Sequence, residues 1–375
     1  MKKTCLVLLG LLWCAALPAK NFELKSPDGR IALAIDVGER IAYTVRGDGI
    51  PLLEECRLGL RLDRGGTAGP LRLVRHRSGS IDRTFRPAVA YKFSEIRDRC
   101  NTLRLDFRGD WSVEFRAYDD GVAYRFLSDT EGPVEVLGEE FALRLPDAST
   151  AVLQQPGSFR TGYEEAYEEV GTRSWGMAGR LAVLPALFDT KRGYKILVSE
   201  SSLTDYPCLF LTGDGANGMR GVFPKMPLRT EETGDRSVRI LEEAGCIAAT
   251  TGERAFPWRY FVLADEDGDL VETTMTARLA EPCALGDTSW IEPGQVSWEF
   301  WNAASPYGPD VDFVAGFNTA TYKYFIDFAA RFGIPYIIMD EGWAEDTRDP
   351  YTPNSEVDLH ELIRYGEERG VGVIL

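Results

Sequence analysis

Histidine is nearly absent from this 375-residue chain, which contains only His76 and His360. A Ser-His-Asp or Cys-His triad, or a zinc site with the usual His and Cys ligands, therefore has little material to draw on. The chain has seven cysteines, but none of those beyond residue 20 shows the C-x₂-C spacing of a metal or redox site. We expect these cysteines to be buried thiols in a large domain.

The chain also has fewer basic than acidic residues. The chain has 42 lysines and arginines against 58 acidic residues, which gives a net charge of −16. Since no basic run offsets this charge, the composition argues against a nucleic-acid partner. The acidic excess would suit a cation cofactor, but solvated surface carboxylates explain it equally well.

The chain has no apolar run long enough to span a bilayer. The short apolar segment Leu6–Leu17 follows Lys2 and Lys3 and is followed by Ala19. This order is typical of a secretory signal peptide, which we assign to residues 1–20. We therefore expect an exported, periplasmic protein without stable insertion in a membrane.

Residues 21–288 are predicted to form one all-β domain. Short apolar runs, several with period-two alternation, recur between turn sequences such as Asp119-Asp120-Gly121. Many short antiparallel strands over such a length indicate a large β-sandwich. The runs are Ile31–Ile35, Ile41–Val45, Leu103–Phe107, Val113–Tyr118, Val122–Phe126, Lys195–Val198 and Trp258–Leu263.

Residues 289–375 follow a different pattern, in which apolar strands alternate with helices. The predicted strands are Gln295–Asn302, Tyr336–Trp343 and Val371–Leu375. Alternating strands and helices at this spacing indicate the start of a (β/α)₈ barrel. The chain stops inside the third strand, so residues from later strands are expected after residue 375.

The two intervening helices carry recognisable end signals. The apolar positions of the first helix fall on one face, Asn318 or Thr319 is expected to cap its start, and Gly333 is expected to end it. In the second helix, Asp358 and Glu361 resemble a capping box, and Gly370 is expected to close the helix.

Polar and aromatic residues follow the first two of these strands. Catalytic and binding residues of a barrel lie where its strands end. Carboxylates can bind the hydroxyl groups of a sugar, and tryptophan can stack on its apolar face. The sequence therefore predicts a carbohydrate site, although a loop in which Asp340 only caps a helix remains an alternative. The predicted site residues are Trp298, Trp301, Asn302, Asp340, Glu341 and Trp343.

Residues 162–169 form an acidic segment of the β domain, Gly-Tyr-Glu-Glu-Ala-Tyr-Glu-Glu. A solvated loop is the simpler interpretation, and Glu200 is likewise expected to be a loop carboxylate. The alternative is that Glu164 reaches a cation, because hard cations such as Ca²⁺ collect oxygen ligands from distant segments.

In these features the chain resembles glycoside hydrolase family 97, a family of exported bacterial α-glycosidases, from about residue 22 to its end. Each motif is weak by itself, but their order is specific. The motifs are Ser26-Pro27-Asp28-Gly29, Phe115–Ala123, Ser199–Pro207, Pro257-Trp258-Arg259, Asn318–Tyr324, Asp340-Glu341-Gly342-Trp343 and Asp358-Leu359.

The resemblance implies a β-supersandwich, a central (β/α)₈ barrel and a small C-terminal β domain. It also implies a Ca²⁺ ion held mainly by barrel glutamates, with one glutamate from the N-terminal domain. Glu164 is the position matched to that donor, and Glu165 is the alternative.

The resemblance further implies hydrolysis of α-linked oligosaccharides. The sequence near Trp298 and Asp340 is more similar to the retaining, α-galactosidase-like branch than to the inverting α-glucosidases. In the retaining branch the nucleophile is an Asp after barrel strand 4 and the acid/base is a Glu on a later strand. No catalytic residue is therefore assigned within this chain. An inverting α-glucosidase of the same family and a non-catalytic carbohydrate-binding fragment remain alternatives. The oligomeric state is left open.

Overall fold

A computed structural model describes residues 20–67, 69–89, 92–176, 179–234 and 237–375. The predicted signal peptide, apart from Lys20, lies outside this part of the chain. The chain divides into two compact units. Of the described residues, the first unit comprises those in 20–87, 92–227 and 243–283, and the second comprises those in 88–89, 228–242 and 284–375.

The elements are numbered in chain order. The strands are β1 (Lys20–Lys25), β2 (Ile31–Val37), β3 (Ile41–Gly47), β4 (Ile50–Leu62), β5 (Leu73–Phe85), β6 (Ile96–Phe107), β7 (Trp111–Tyr118), β8 (Gly121–Arg144), β9 (Thr150–Gln154), β10 (Tyr167–Gly171), β11 (Ala186–Asp189), β12 (Lys195–Ser201), β13 (Phe210–Gly213), β14 (Gly218–Val222), β15 (Pro227–Gly234), β16 (Ser237–Glu243), β17 (Ala248–Ala255), β18 (Trp258–Ala264), β19 (Val296–Trp298), β20 (Tyr336–Ile338) and β21 (Gly372–Ile374). The helices are α1 (Thr172–Gly176), α2 (Asp267–Glu272), α3 (Met275–Leu279), α4 (Thr319–Phe332) and α5 (Leu359–Glu367).

The first unit is built on antiparallel strands that alternate buried and exposed residues, as β2 and β3 do. The long strand β8 links two layers, because its first part pairs with β7 and β18 and its last part pairs with β4. Tyr43 of β3 packs against Tyr124 of β8 and Phe261 of β18, with ring centroids 5.9 and 6.2 Å apart. These contacts between layers agree with the predicted β-sandwich.

A buried ion-pair cluster lies inside the first unit. Arg259 of β18 is only 1% exposed, and its guanidinium binds the Glu139 carboxylate through two hydrogen bonds of 2.7 and 2.8 Å. Arg259 also pairs with Glu200, and Tyr206 donates to Glu139 at 2.9 Å. The prediction that Glu200 is a loop carboxylate is wrong, because Glu200 belongs to β12 and faces the arginine across the pair with β18.

The second unit contains a parallel sheet in the order β19-β20-β21. Helix α4 lies between β19 and β20 in the chain, and α5 lies between β20 and β21. The apolar faces of the helices and the middle strand share one core. This core includes Tyr322, Ile326, Ala329, Ile337, Met339, Trp343, Leu362 and Val371. The second unit also takes in the β15–β16 hairpin, which lies within the range that the sequence assigned to the β domain.

The predicted ends of α4 and the predicted start of α5 are confirmed, but α5 ends at Glu367 with Glu368 as its C-cap, three residues before the predicted Gly370. The Asn318 side chain accepts a hydrogen bond from the Thr321 N–H at 3.0 Å, and Gly333 ends α4 with φ 68°. Asp358 accepts from the Glu361 N–H at 2.9 Å. The second half of the capping box is replaced, because the Asp358 N–H donates to Thr319 Oγ1 at 2.8 Å.

Two predicted strands are shorter than the sequence suggests. β19 ends at Trp298, and residues 299–302 form a 3₁₀ turn that leads into Ala303 and Ala304, both with positive φ. β20 ends at Ile338, so Asp340 begins a loop rather than continuing the strand. After β20, Met339 and Trp343 are buried beyond the strand, whereas Phe300 and Trp301 after β19 are exposed.

Two further findings concern membrane contact and cysteine. Within the described ranges, no helix is both long and apolar enough to cross a membrane. The five cysteines in those ranges are free thiols. Cys56, Cys100 and Cys246 are buried, Cys208 is half-buried, and Cys283 is exposed.

Candidate functional site

The carboxyl ends of β19 and β20 bring Trp298 and Asp340 together. The two strands are parallel and pair in the register Trp298 to Ile338, so the residues that follow them lie at the same edge of the sheet. Trp298 Nε1 donates a hydrogen bond to Asp340 Oδ2 at 3.1 Å, and the Glu341 N–H donates to Asp340 Oδ1 at 2.7 Å. Both carboxylate oxygens of Asp340 therefore have a donor, which fixes the direction of the carboxylate.

A cleft of about 370 Å³ opens at this edge. Its volume lies within the range of small-molecule sites, roughly 300–1,000 Å³. It combines an indole, carboxylates and apolar walls, which suits a ligand with both hydroxyl groups and an apolar face. It is lined by Trp298, Ile338, Met339, Asp340, Glu341, Gly342, Trp343, Ala344, Asp346, Thr347, Pro350 and Leu375.

Glu299 is the residue that the sequence analysis missed. Its side chain is 1% exposed, and its Oε1 accepts the Asp340 N–H at 2.6 Å. The Tyr322 hydroxyl also donates to Oε1, at 3.4 Å. Burial is the largest cause that raises the pKa of Glu299, and the charge of Asp340 acts in the same direction. The signal available in the sequence was a carboxylate placed between Trp298 and Phe300, where an aromatic cluster would bury it.

The three predicted tryptophans have different surroundings. Trp298 is half-buried. It lines the cleft and also packs against Trp301, with the two ring centroids 5.5 Å apart. Trp301 is 78% exposed and also contacts Phe300, but it is not among the residues that line the cleft. Trp343 lines the cleft with a small part of its surface, because it is only 7% exposed and packs in the core of the second unit.

The remaining predicted residues, Asn302 and Glu341, lie in different pockets. Asn302 is exposed and lines another pocket, beside Tyr307 and α4. Glu341 lies on the cleft with Asp340 and also on a neighbouring, more open cleft of about 760 Å³. Glu232 of the β15–β16 hairpin lines this second cleft. The geometry thus joins Trp298, Asp340, Glu341 and Trp343 in one cleft, while their substrate-binding role stays a prediction.

Glu164 lies exposed in the loop between β9 and β10 of the first unit. Its neighbours Glu165 and Glu168 accept hydrogen bonds from Thr161 at 3.1 Å and from Gln155 at 2.6 Å. In the described part of the chain, no group of three or more His, Cys, Asp or Glu side chains could hold a metal ion. Since Ca²⁺ takes about six to eight oxygen ligands, Glu164 could supply one ligand but could not form the site alone.

Two family models match the chain. Residues 24–282 match the model described as Glycosyl-hydrolase 97 N-terminal, and residues 298–375 match the model described as Glycoside hydrolase 97. The "Retaining alpha-galactosidase" of Bacteroides thetaiotaomicron is 36% identical over 389 residues, covering 100% of this chain and 58% of the relative. The "Probable retaining alpha-galactosidase" of Streptomyces bingchenggensis is 31% identical, covering 92% of this chain and 50% of the relative. The chain thus spans little more than half the length of these curated relatives.

Solved structures give the same fold. A glycoside hydrolase family 97 enzyme from Pseudoalteromonas sp. strain K8, solved in complex with acarbose, matches with a TM-score of 0.76 at 21% identity. The match covers 94% of this chain and 53% of that structure. A β-arabinopyranosidase matches with a TM-score of 0.74 at 22% identity, covering 94% and 55%. At these identities the likeness concerns the fold.

Proposed function

The chain belongs to glycoside hydrolase family 97, and from this premise we propose that the full-length protein is a retaining α-galactosidase that acts on α-linked oligosaccharides. The observation that carries the proposal is the cleft at the ends of β19 and β20, where Asp340 lies beside Trp298. The names of the two curated relatives support galactose over glucose as the sugar that is released.

We further propose that β19, β20 and β21 are the first three strands of a (β/α)₈ barrel. Three neighbouring parallel strands in chain order, separated by helices, support this arrangement. Active sites of such barrels lie at the carboxyl ends of the strands. The cleft would then be part of the substrate site, completed by residues that follow residue 375.

Within that cleft, this chain would bind and orient the sugar. The Asp340 carboxylate is held by two N–H donors and retains lone pairs that can accept sugar hydroxyls. Trp298 would offer apolar surface for stacking in the cleft, and the exposed Trp301, which contacts Trp298, would offer it outside the cleft lining. The nucleophile and the acid/base are expected after residue 375. A retaining mechanism needs these two carboxyl groups about 5–5.5 Å apart.

The binding role of Asp340 is tested by Asp340→Asn in the full-length protein, with Asp327→Asn as the matched control. Asp327 is an exposed carboxylate of α4 that binds Arg369 outside the cleft. A hydrogen bond to a charged group contributes about 1.5–3 kcal/mol, so kcat/KM on an aryl α-galactoside should fall roughly 10- to 100-fold. The control should keep its activity, and equal activity in both variants would reject the role.

The stereochemistry and the sugar are tested by following hydrolysis of aryl α-galactosides and α-glucosides by proton NMR. A retaining α-galactosidase releases α-galactose first, and the β anomer appears later by mutarotation. Early β-glucose would instead identify an inverting α-glucosidase. If neither substrate is cleaved while the protein still binds galactosides, a carbohydrate-binding role replaces the hydrolase.

We also propose that the full-length protein holds Ca²⁺, with Glu164 as the ligand given by the first unit. Bound calcium would supply positive charge that polarises the reacting region. Removal of calcium with EGTA should lower the melting temperature, and Glu164→Ala should weaken calcium binding measured by calorimetry. Glu165→Ala tests the alternative donor and should have the smaller effect, because Thr161 already binds its carboxylate. No effect of EGTA on melting would remove calcium from the proposal.

Export to the periplasm remains part of the proposal and is supported by the basic and apolar order of residues 1–20. Cell fractionation should recover the protein in the periplasm. Sequencing of its N-terminus should begin near residue 20. A cytoplasmic protein that still begins at Met1 would exclude the signal peptide.

A further inference from the structure

The buried carboxyl of Glu299 makes one short contact with the loop that carries Asp340. Its Oε1 accepts the Asp340 N–H at 2.6 Å, across 41 positions of sequence. Glu299, the first residue after β19, is thereby tied to Asp340, the second residue after β20, beyond the last pair of the sheet, Trp298 and Ile338. Glu299 thus fixes the main chain at the point where the Asp340 side chain leaves it.

Packing alone does not account for a carboxyl in this position. Glu299 Oε2 is buried, and it has no hydrogen-bond partner in the part of the chain that the structure describes. An unsatisfied buried polar atom loses its hydration and gains no hydrogen bond in return, so it destabilises the fold. Burial raises the pKa of Glu299 and so favours the uncharged acid. A carboxyl therefore fills this space less favourably than an apolar side chain would, but it supplies an acceptor for the Asp340 N–H.

The contact reaches the cleft through Asp340. With its main chain held by Glu299, the Asp340 carboxylate receives Trp298 Nε1 at 3.1 Å and the Glu341 N–H at 2.7 Å. A shift of the loop would move the Asp340 carboxylate relative to Trp298 Nε1, whereas the hydrogen bond from the Glu341 N–H lies within the loop and moves with it. Glu299 thus holds the Asp340 main chain through one hydrogen bond, and the Asp340 side chain accepts a second hydrogen bond from the indole of Trp298.

We propose that Glu299 is a positioning residue of the substrate site, which sets the orientation of Asp340 and Trp298 without touching the sugar. The effect of Glu299 on catalysis rests on the proposed function. The contacts on which it depends can be tested separately from activity.

The test uses Glu299→Gln and Glu299→Leu in the full-length protein labelled with 5-fluorotryptophan. Glutamine keeps a neutral carbonyl oxygen that can accept the Asp340 N–H, whereas leucine of similar size removes the acceptor. The fluorine resonance of Trp298 is assigned by its loss in Trp298→Phe. We expect this resonance to shift in Glu299→Leu and to stay near its original position in Glu299→Gln.

Activity gives the second measurement. Loss of one positioning hydrogen bond should lower kcat/KM about 10-fold in Glu299→Leu, with rescue to within about threefold in Glu299→Gln. Ile326→Val is the control for general loosening, because Ile326 is buried in the same core without contact to the cleft. If Glu299→Leu does not fold, Glu299→Asp replaces it, since a shorter side chain withdraws the acceptor and should give the same shift.

The outcomes separate the two proposals. If the wild-type protein cleaves no galactoside, the proposed function fails, while the fluorine shift still decides the role of Glu299. An unchanged Trp298 resonance in Glu299→Leu would overturn the positioning role. So would a Glu299→Gln variant that behaves like Glu299→Leu, because it would show that a neutral acceptor is not sufficient.

Discussion

Replacement of Arg259 by methionine should be among the most destabilising single changes in the first unit. The guanidinium is 1% exposed and neutralises two carboxylates, Glu139 and Glu200, which burial keeps away from water. Burial opposes the charge of Arg259, but the attraction of Glu139 outweighs it and raises the pKa of the arginine. Breaking a buried pair by removing one partner costs about 3–5 kcal/mol, because the remaining charge is left without compensation.

This loss is large enough for a thermal melt. At about 2–4 °C per kcal/mol for a domain of this size, Arg259→Met should lower the melting temperature of the first unit by roughly 6–20 °C. Arg97→Met is the matched control. Its partner is Asp82, and the two side chains are 60% and 56% exposed, so water already screens this pair and its loss should lower the melting temperature far less.

The assay is calorimetry of the full-length protein, with circular dichroism to follow the β-structure. Adding Glu139→Gln and Glu200→Gln to Arg259→Met should recover part of the loss, since no uncompensated carboxylate then remains. The reasoning is refuted if Arg259→Met melts within 2 °C of Arg97→Met, by the conversion of about 2–4 °C per kcal/mol.

Three further predictions concern the second unit. Asn318→Ala removes the acceptor of the Thr321 N–H and should cost about 1 kcal/mol in urea unfolding; a loss below about 0.3 kcal/mol would contradict the cap. Gly342 has φ 107°, and a Cβ there would lie 2.8 Å from the Phe317 ring. Gly342→Ala should therefore lower the melting temperature. Gly286→Ala is the control and should leave the melting temperature unchanged, because a Cβ there would meet open space. Because burial raises the pKa of Glu299 above 4.5, its contribution to stability is complete below pH 4.5 and decreases as the pH rises through the folded pKa. Glu299→Gln should therefore lose less stability than the wild type between pH 4 and pH 7, and parallel melting curves against pH would contradict this.

The sequence predicts most elements whose signal is local. Period-two alternation identified strands such as β2 and β3, because one face of each strand is more deeply buried than the other. The start of α4 was predictable because a cap depends on residues three positions apart, as in Asn318 and Thr321. The pairing of Trp298 with Asp340 was predictable in outline, since parallel strands end at one edge of a sheet.

Features that depend on distant partners could not be predicted in this way. Glu299 is buried because its acceptor meets an N–H 41 positions away, and no local pattern encodes that contact. The inclusion of residues 228–242 in the second unit is likewise a tertiary property, since the alternation within a hairpin does not say what the hairpin packs against. Trp343 was predicted to face a ligand, but its burial depends on the packing of α4 and α5 around it.

Glu200 and Glu299 are both buried carboxyls whose pKa is raised by burial, yet they have different physical consequences. Glu200 faces Arg259 and accepts the Leu209 N–H, so its charge is compensated within the sandwich. Glu299 has no cationic partner in the described ranges, and one of its oxygens has no donor there. The first arrangement places a cation beside the carboxyl and joins two strands, whereas the second lacks a cation and holds a loop. A raised pKa therefore identifies burial in both cases, and the partners determine whether the residue serves the stability of the fold or the geometry of the cleft.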